Sequence, residues 1–513
     1  MIKQLGVLVL LVGVCMSSSL IWAILDLQQS VEVEQTSQPE THRVIYAFVL
    51  SLIICLVVGL ICICKWGRGV DMEQMYRKEA IAVVGLGWLL CGILGALPYV
   101  LSGVLEPYYN NWFGSCCAAV FESISGFTTT GASIFPQPEI LPRAILFWRS
   151  LTHWLGGMGI VVLFVAVLGQ TGSGAKCLVS SELPGPLDEP LRPRIRQTAV
   201  LLWKIYLGIS LAEVICLKLQ GMDIFASLCH TFGTMATGGF STLNGSIGQY
   251  GKVYIEITII VFMLMAGTNF NLHAAFLQKR WRAVIGNREF QIYLLLLALA
   301  VGMLTTDLLL NRPQEYPLGK ALRVSGFQAV SLMTTTGYGT DDFNAWPSFS
   351  RWLLVMLMFI GGSAGSTGGG IKVIRIILFI KVVLLEVEHM FRPNVVRPLK
   401  VKGQVLDDDV RRNVSSYVGL VLLIFFVSTI LLMVLHNEAH VETTRHLDLE
   451  TALSAVAATL NNIGPGLNMV GPTQNYAFFT APAKLLLSLL MIIGRLEVMV
   501  ILCLFVPGFW RRQ

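Results

Sequence analysis

The sequence predicts an all-α polytopic membrane protein in which two N-terminal spans precede four repeats of span, re-entrant loop and span around a pore. Three observations carry this. The 513 residues are 54% hydrophobic and only 13% charged, with a mean hydropathy of +0.68, about half the charge of an average soluble chain. Apolar runs recur along the whole chain, long enough to cross a bilayer core that takes about 20 helical residues. A Thr- and Gly-rich segment returns four times, the mark of an internal repeat.

The elements follow in order. Residues 4–25 are apolar after Lys3. The run exceeds the roughly 7–15-residue core of a signal peptide, and Ser17, Ser18 and Ser19 fall inside it rather than behind it, so a retained span is expected. Polar residues 26–41 lead to a second span at 43–64. The four units then predict paired spans at 80–104 and 142–168, 197–219 and 251–277, 289–310 and 350–385, and 413–436 and 481–506. Within each pair lies a short helical run, at 111–127, 223–235, 319–333 and 449–461, too short to cross the bilayer. Irregular backbone at membrane depth is tolerated where it lines a water-filled cavity or is buried in protein, and a shared pore meets that condition. The division is 1–78 for the N-terminal pair, then 79–170, 171–286, 287–390 and 391–513 for the repeats.

Loop charge sets the expected orientation. Basic residues gather in the linkers, at Lys65, Arg68, Arg77 and Lys78, at Lys176, Arg192, Arg194 and Arg196, at Lys279, Arg280, Arg282 and Arg288, and at Arg392, Arg397, Lys400, Lys402, Arg411 and Arg412. The ends flanking the Thr/Gly loops carry Glu106, Glu139, Asp341 and Asp342 instead. Linkers and both termini are therefore expected in the cytoplasm, with ten spans in all. The net charge of +6 reflects these loops rather than a nucleic-acid partner.

The recurring loops are Thr128-Thr129-Thr130-Gly131, Ala236-Thr237-Gly238-Gly239, Thr334-Thr335-Thr336-Gly337-Tyr338-Gly339 and Asn461-Asn462-Ile463-Gly464-Pro465. With Gly131, Gly238, Gly337 and Gly464 taken as equivalent, the spacings are 107, 99 and 127 residues. Glycine accepts φ > 0, so successive carbonyls can turn toward one axis. A ring of carbonyls replaces the water shell of an alkali cation, as in the T-V-G-Y-G loops of K⁺ channels. The expected K⁺ filter comprises Thr129, Thr130 and Gly131; Ala236, Thr237 and Gly238; Thr335, Thr336, Gly337 and Tyr338; and Asn462, Ile463 and Gly464. Ions are expected at the level of Thr130, Thr237, Thr336 and Ile463. No carboxylate lies within the loops, which favours carbonyl coordination over a charge ring. The short helices should aim their partially negative C-terminal ends at the ion path.

Two further features stand out. Residues 361–370 hold six glycines, Gly361, Gly362, Gly365, Gly368, Gly369 and Gly370, followed by Ile371 and Lys372. Each glycine costs a lipid-facing helix about 1 kcal/mol against alanine, so a broken helix with a gate loop under the filter is expected; close helix packing through small residues is the alternative. The spacing to Lys372 does not fit a Walker phosphate loop. Arg495 sits mid-span, where a cation costs roughly 2.5–3.5 kcal/mol unless it faces water or a partner. A pore-lining barrier is expected, and a buried ion pair is the alternative; Glu497, two positions on, points to another helix face. His153 and His230 are expected to be packed or hydrogen-bonded, since neither has a second ligand at helical spacing. The 11 cysteines form no C-x-x-C pair, against a zinc or redox site.

The four loops, His153-Trp154-Leu155-Gly156-Gly157-Met158-Gly159-Ile160, the glycine-rich break and Gly494-Arg495-Leu496-Glu497 resemble the TrkH/KtrB K⁺ uptake proteins of the Trk/Ktr/HKT superfamily. The likeness covers nearly the whole chain, and the extra N-terminal pair of spans is more TrkH-like. The resemblance implies a pseudo-fourfold pore built from M1-P-M2 repeats, a homodimer, and a cytosolic TrkA-type nucleotide-binding regulatory ring. It implies a bacterial cytoplasmic (inner) membrane location, K⁺ as cargo with no cofactor in this chain, residues 361–370 as the gate loop and Arg495 as the pore arginine. Asn462-Ile463-Gly464-Pro465 departs from the Thr pattern.

A transporter is expected rather than an enzyme, because no nucleophile–base pair, metal-ligand cluster or cytosolic catalytic domain is legible. Coupling to H⁺ or Na⁺, as in a symporter, and a Na⁺-permeable pore of the same architecture stay open.

Overall fold

The computed structural model describes residues 1–32, 38–65, 77–109, 111–159, 195–393, 400–401, 404–405, 408–436, 447–496 and 498–511. Arg68, Lys176, Arg192, Arg194, Arg397, Lys402, Glu497 and positions 160–168 of the first unit lie outside them. Apart from one small hairpin (Lys400–Val401 with Gln404–Val405), the regular structure described is helical.

Two long apolar helices, Ile2–Glu32 and Gln38–Cys64, pack along each other and against the first repeat. Each repeat then has an outer helix, a pore helix and an inner helix. In the first these are Arg77–Gly95 with its continuation Leu97–Ser102, then Trp112–Phe127, then Arg143–Gly157. In the second they are Ile195–Leu219, Ile224–Met235 and Val253–Ala266. The third has Arg288–Asn311, Leu318–Met333 and Ser348–Met358, and the fourth Asp408–Leu435, Leu449–Leu460 and Ala481–Arg495. The protein is thus a polytopic membrane protein with a fourfold pseudosymmetric plan. Apolar side chains such as Leu211, Leu295 and Ile430 stand exposed on the outer helices, the expected state of a face meant for lipid.

The packing is cyclic. Each pore helix lies between the outer and inner helices of its own repeat and also touches the inner helix of the repeat before it, the first touching that of the fourth. That arrangement buries the C-terminal parts of the pore helices, while first-turn residues such as Trp112 and Leu318 stay exposed; their lengths of 16, 12, 16 and 12 residues cannot cross a bilayer. Asn111, Asp223 and Asp448 cap three of them by accepting from the amides of Gly114, Phe225 and Thr451, which satisfies a helix N-terminus that would otherwise be left orphaned.

The inner segments differ from the sequence reading. Among the described residues, six helical segments are long and apolar enough to span, namely the N-terminal pair and the four outer helices. The inner segments expected as unbroken spans at 251–277 and 481–506 are broken, and the helix expected to run on from 142 stops at Gly157. Val253–Ala266 turns by 99° into Phe270–Leu277, and Ala481–Arg495 is followed by a separate helix, Val498–Phe505. The breaks sit where inner helices approach the loop backbones. Carbons added at Gly156 and Gly494 would overlap the carbonyls of Phe127 and Leu460.

Candidate ion pathway

The pore helices end at Phe127, Met235, Met333 and Leu460, and each is followed by the same backbone pattern. The second residue after each helix has φ > 0: Thr129 (54°), Thr237 (55°), Thr335 (61°) and Asn462 (56°). For β-branched residues this is a true outlier, of the kind that persists at functional sites where the surroundings over-determine it. The next amide, of Thr130, Gly238, Thr336 or Ile463, donates back to the carbonyl of Ser125, Gly233, Ser331 or Ala458 at 2.8–2.9 Å. A glycine at φ > 0 follows: Gly131 (80°), Gly239 (77°), Gly337 (81°) and Gly464 (98°).

This pattern corrects the register of the second loop. Gly239, not Gly238, is the equivalent of Gly131, Gly337 and Gly464, and Thr237 matches Thr129 rather than Thr130. The spacings become 108, 98 and 127 residues. The Gly238-Gly239 pair made the two registers indistinguishable by composition alone. The level expected to run through Thr130, Thr237, Thr336 and Ile463 therefore runs through Thr130, Gly238, Thr336 and Ile463.

These four residues form a closed ring. A carbon added at Gly131 would overlap the Gly238 carbonyl, one at Gly239 the Thr336 carbonyl, one at Gly337 the Ile463 carbonyl, and one at Gly464 would lie 2.6 Å from the Thr130 carbonyl. Each glycine thus admits the carbonyl of the next loop, in the order of the repeats, and the last returns to the first. All four glycines line one cavity, together with Ser133, Ser241 and Tyr476 from the segments that follow the loops. Next to the ring, the Thr129 hydroxyl and Asn462 Oδ1 are buried without a hydrogen-bond partner among the described residues. Hard oxygens left without a donor suit a dehydrated monovalent cation.

Contacts between repeats fix the ring from behind. Tyr338 donates its hydroxyl to the His230 carbonyl at 3.0 Å, joining loop 3 to pore helix 2. Asn462 Nδ2 donates to Thr130 Oγ1 at 3.0 Å and to the Met491 carbonyl at 2.8 Å, joining loop 4 to loop 1. Among the segments that follow the loops, the Tyr476 amide donates to the Ser133 carbonyl at 2.8 Å, and the Gly248 amide to the Gly339 carbonyl at 3.1 Å. Sequence reasoning missed one part of this frame. Arg149 and Glu122, both buried, pair at 2.7 Å, and Arg149 also donates to Ser133 Oγ at 2.9 Å and stacks over the Phe240 ring at 4.2 Å. The legible signal was a charge of each sign inside apolar segments of one repeat.

A second cavity is bordered by the Gly-rich segment and Arg495. The helix is broken there, between Met358 and Val373, so close packing of an intact helix does not apply. The segment forms a lobe closed at its neck by the Gly361 amide donating to the Ile371 carbonyl at 2.9 Å. One arm of it meets the re-entrant loops: the Gly369 amide donates to Thr335 Oγ1 at 2.6 Å, and a carbon on Gly369 would lie 2.6 Å from the Asn461 carbonyl. Glu289 holds one side by accepting from the Ala364 amide at 2.7 Å, and Lys372 donates to the Gly368 carbonyl. Arg495 donates to the Thr367 carbonyl at 2.7 Å, to that of Gly157 at 2.9 Å, and to that of Gly156.

A single chain whose four repeats converge re-entrant loops on one carbonyl ring, with a lobe across the cavity below, is a pore-type membrane transport protein rather than an enzyme. Residues 88–511 match the family described as TrkH, cation transport protein. The chain belongs to the TrkH cation transport protein family. It is 37% identical over 471 residues to the Trk system potassium uptake protein TrkH of Salmonella typhimurium, covering 91% of this chain and 92% of that one. It is 32% identical to the Escherichia coli Trk system potassium uptake protein TrkG, over 85% and 86% of the two chains. The crystal structure of the potassium transporter TrkH from Vibrio parahaemolyticus superposes with a TM-score of 0.82, at 32% identity and 99% coverage of both chains.

Proposed function

We propose that this protein conducts K⁺ inward across the bacterial cytoplasmic membrane. The observation that carries the reading is the closed ring of four carbonyls, from Thr130, Gly238, Thr336 and Ile463. The names of its relatives, potassium uptake proteins, support the same cargo. K⁺ sheds water at the ring, where carbonyl oxygens replace its hydration shell, and pore-helix C-termini favour a cation there. K⁺ is cargo, and the chain needs no resident cofactor. A membrane potential is worth about 2.3 kcal/mol per charge per 100 mV, roughly fiftyfold accumulation, so a coupled H⁺ or Na⁺ is not required for uptake.

The lobe at residues 361–370, with Gly361, Gly362, Gly365, Gly368, Gly369 and Gly370, is the gate, and Arg495 is both an electrostatic barrier and its latch. Both termini lie in the cytoplasm, the chain works as a homodimer, and a cytosolic TrkA-type nucleotide-binding ring pulls the lobe open. Voltage-driven Rb⁺ uptake into proteoliposomes containing the purified protein tests the transport reading; no uptake above protein-free liposomes, with and without a pH gradient, would overturn it. A Na⁺-permeable pore is favoured by one observation only, the Asn462-Ile463 pair in loop 4. Equal Rb⁺ and Na⁺ fluxes would select that second reading.

A further inference from the structure

The second loop departs from the others in a way that its backbone does not require. The ring position holds Thr130, Thr336 and Ile463 in the other repeats but Gly238 here, and Gly238 is not among the glycines at positive φ. Two residues earlier, Thr128 and Thr334 pair their hydroxyls with Thr130 and Thr336 at 2.8 Å in both cases. The second loop has Ala236 and Gly238 instead, so both members of that pair are missing.

The imidazole of His153 occupies the space. A carbon added at Gly238 would lie 2.5–2.7 Å from Cγ, Nδ1 and Cδ2 of the ring. His153 comes from the inner helix of the first repeat and is completely buried. Its Nε2 accepts from the Phe240 amide at 3.2 Å, which leaves Nδ1 to carry the proton donated to the Gly126 carbonyl at 2.7 Å. The ring stacks on Phe240 with centroids 4.1 Å apart. One side chain therefore grips the end of pore helix 1 and the segment leaving loop 2, and fixes its own tautomer by doing so.

We infer that His153 is a selectivity-positioning residue: its imidazole replaces the side chains that loop 2 lacks and seats the Gly238 carbonyl in the ring. It acts through the backbone and does not touch the ion. The inference rests on the reading of the ring as the ion-selective element, and the test separates the two.

Rb⁺ and Na⁺ fluxes are measured for the full-length protein in liposomes, for His153→Ala, Gly238→Thr and the double variant. His153→Ala should lower the Rb⁺/Na⁺ ratio about tenfold while Rb⁺ flux persists, a loss equivalent to one decade of differential affinity. Gly238→Thr alone should lower it as well, because the threonine collides with the imidazole. The double variant should recover selectivity, since threonine then fills the vacated volume as it does at positions 130 and 336. An unchanged ratio in His153→Ala overturns the inference, as does a double variant no better than the poorer single one. Should His153→Ala fail to fold, the double variant decides alone: wild-type selectivity supports exchange of volume, and a non-selective or unfolded protein overturns it. Gly337→Ala is the control. If that change leaves the ratio intact, the ring itself is not the selective element; if it alone alters the ratio, only the role of His153 falls.

Discussion

Arg495 and Thr367 meet at the edge of the cavity bordered by the Gly-rich lobe, guanidinium to carbonyl at 2.7 Å, and the same guanidinium donates to the Gly157 carbonyl at 2.9 Å. A side chain from the fourth repeat thereby holds the lobe of the third against the inner helix of the first. Hydrogen bonds from a charged donor are worth about 1.5–3 kcal/mol each. Replacing Arg495 by Gln or Ala should therefore release the lobe and remove a repelling charge. Rb⁺ efflux from liposomes without the regulatory partner should rise about tenfold or more, the factor that 1.4 kcal/mol represents. Flux equal to wild type would remove Arg495 from the barrier.

Shortening the lobe tests the gate separately. Deleting residues 362–370 removes the contacts of Gly369 with Thr335 and of Thr367 with Arg495, and flux should rise at unchanged Rb⁺/Na⁺ selectivity. A deletion that also abolished selectivity would make the lobe part of the filter floor.

The corrected register predicts that Gly239, not only Gly337, is intolerant of a side chain. Gly239→Ala and Gly337→Ala each combine positive φ with overlap on a neighbouring carbonyl. Each should lower the Rb⁺/Na⁺ flux ratio about tenfold. A Gly239→Ala protein with wild-type selectivity would restore the register read from composition.

The Glu122–Arg149 pair is fully enclosed, at 2.7 Å. Breaking a buried pair by removing one partner leaves an uncompensated charge and costs about 3–5 kcal/mol. Arg149→Met should lower the thermal midpoint of the detergent-solubilised protein clearly more than Glu122→Gln/Arg149→Met, which removes both charges; equal midpoints would show that the pair carries no such penalty.

Much of this architecture was legible because the physics is periodic. Bilayer thickness dictates the length of the outer helices, and the Thr/Gly loops announce themselves by composition against an apolar background. The pore helices at 112–127, 224–235, 318–333 and 449–460 fall within a residue of the sequence reading, since each is bounded by a cap or Pro and by the loop itself. The inner helices were less legible. Their breaks at Gly157, Gly267 and Arg495 sit where the inner helices press on other backbone, that of their own repeat's loop at Gly156 and Gly494 and that of a neighbouring repeat at Gly157 and Gly267, a tertiary demand that a hydropathy window averages away. The one-residue slip at Gly238 has a similar origin. Two adjacent glycines read alike in sequence, and only His153, 85 residues earlier, distinguishes the one that needs positive φ from the one that needs room.

The wedging of each glycine against the next loop also has a consequence for biogenesis. Thr130 is held by Asn462, 332 residues downstream, so the first quadrant cannot be completed until the ribosome has made the last. At about 5–20 residues per second, the opening quarter waits roughly 15–65 s in the translocation machinery without the Asn462 contact that holds Thr130. Nascent chains truncated before the fourth repeat should therefore be substrates for membrane quality control, however well their own helices insert.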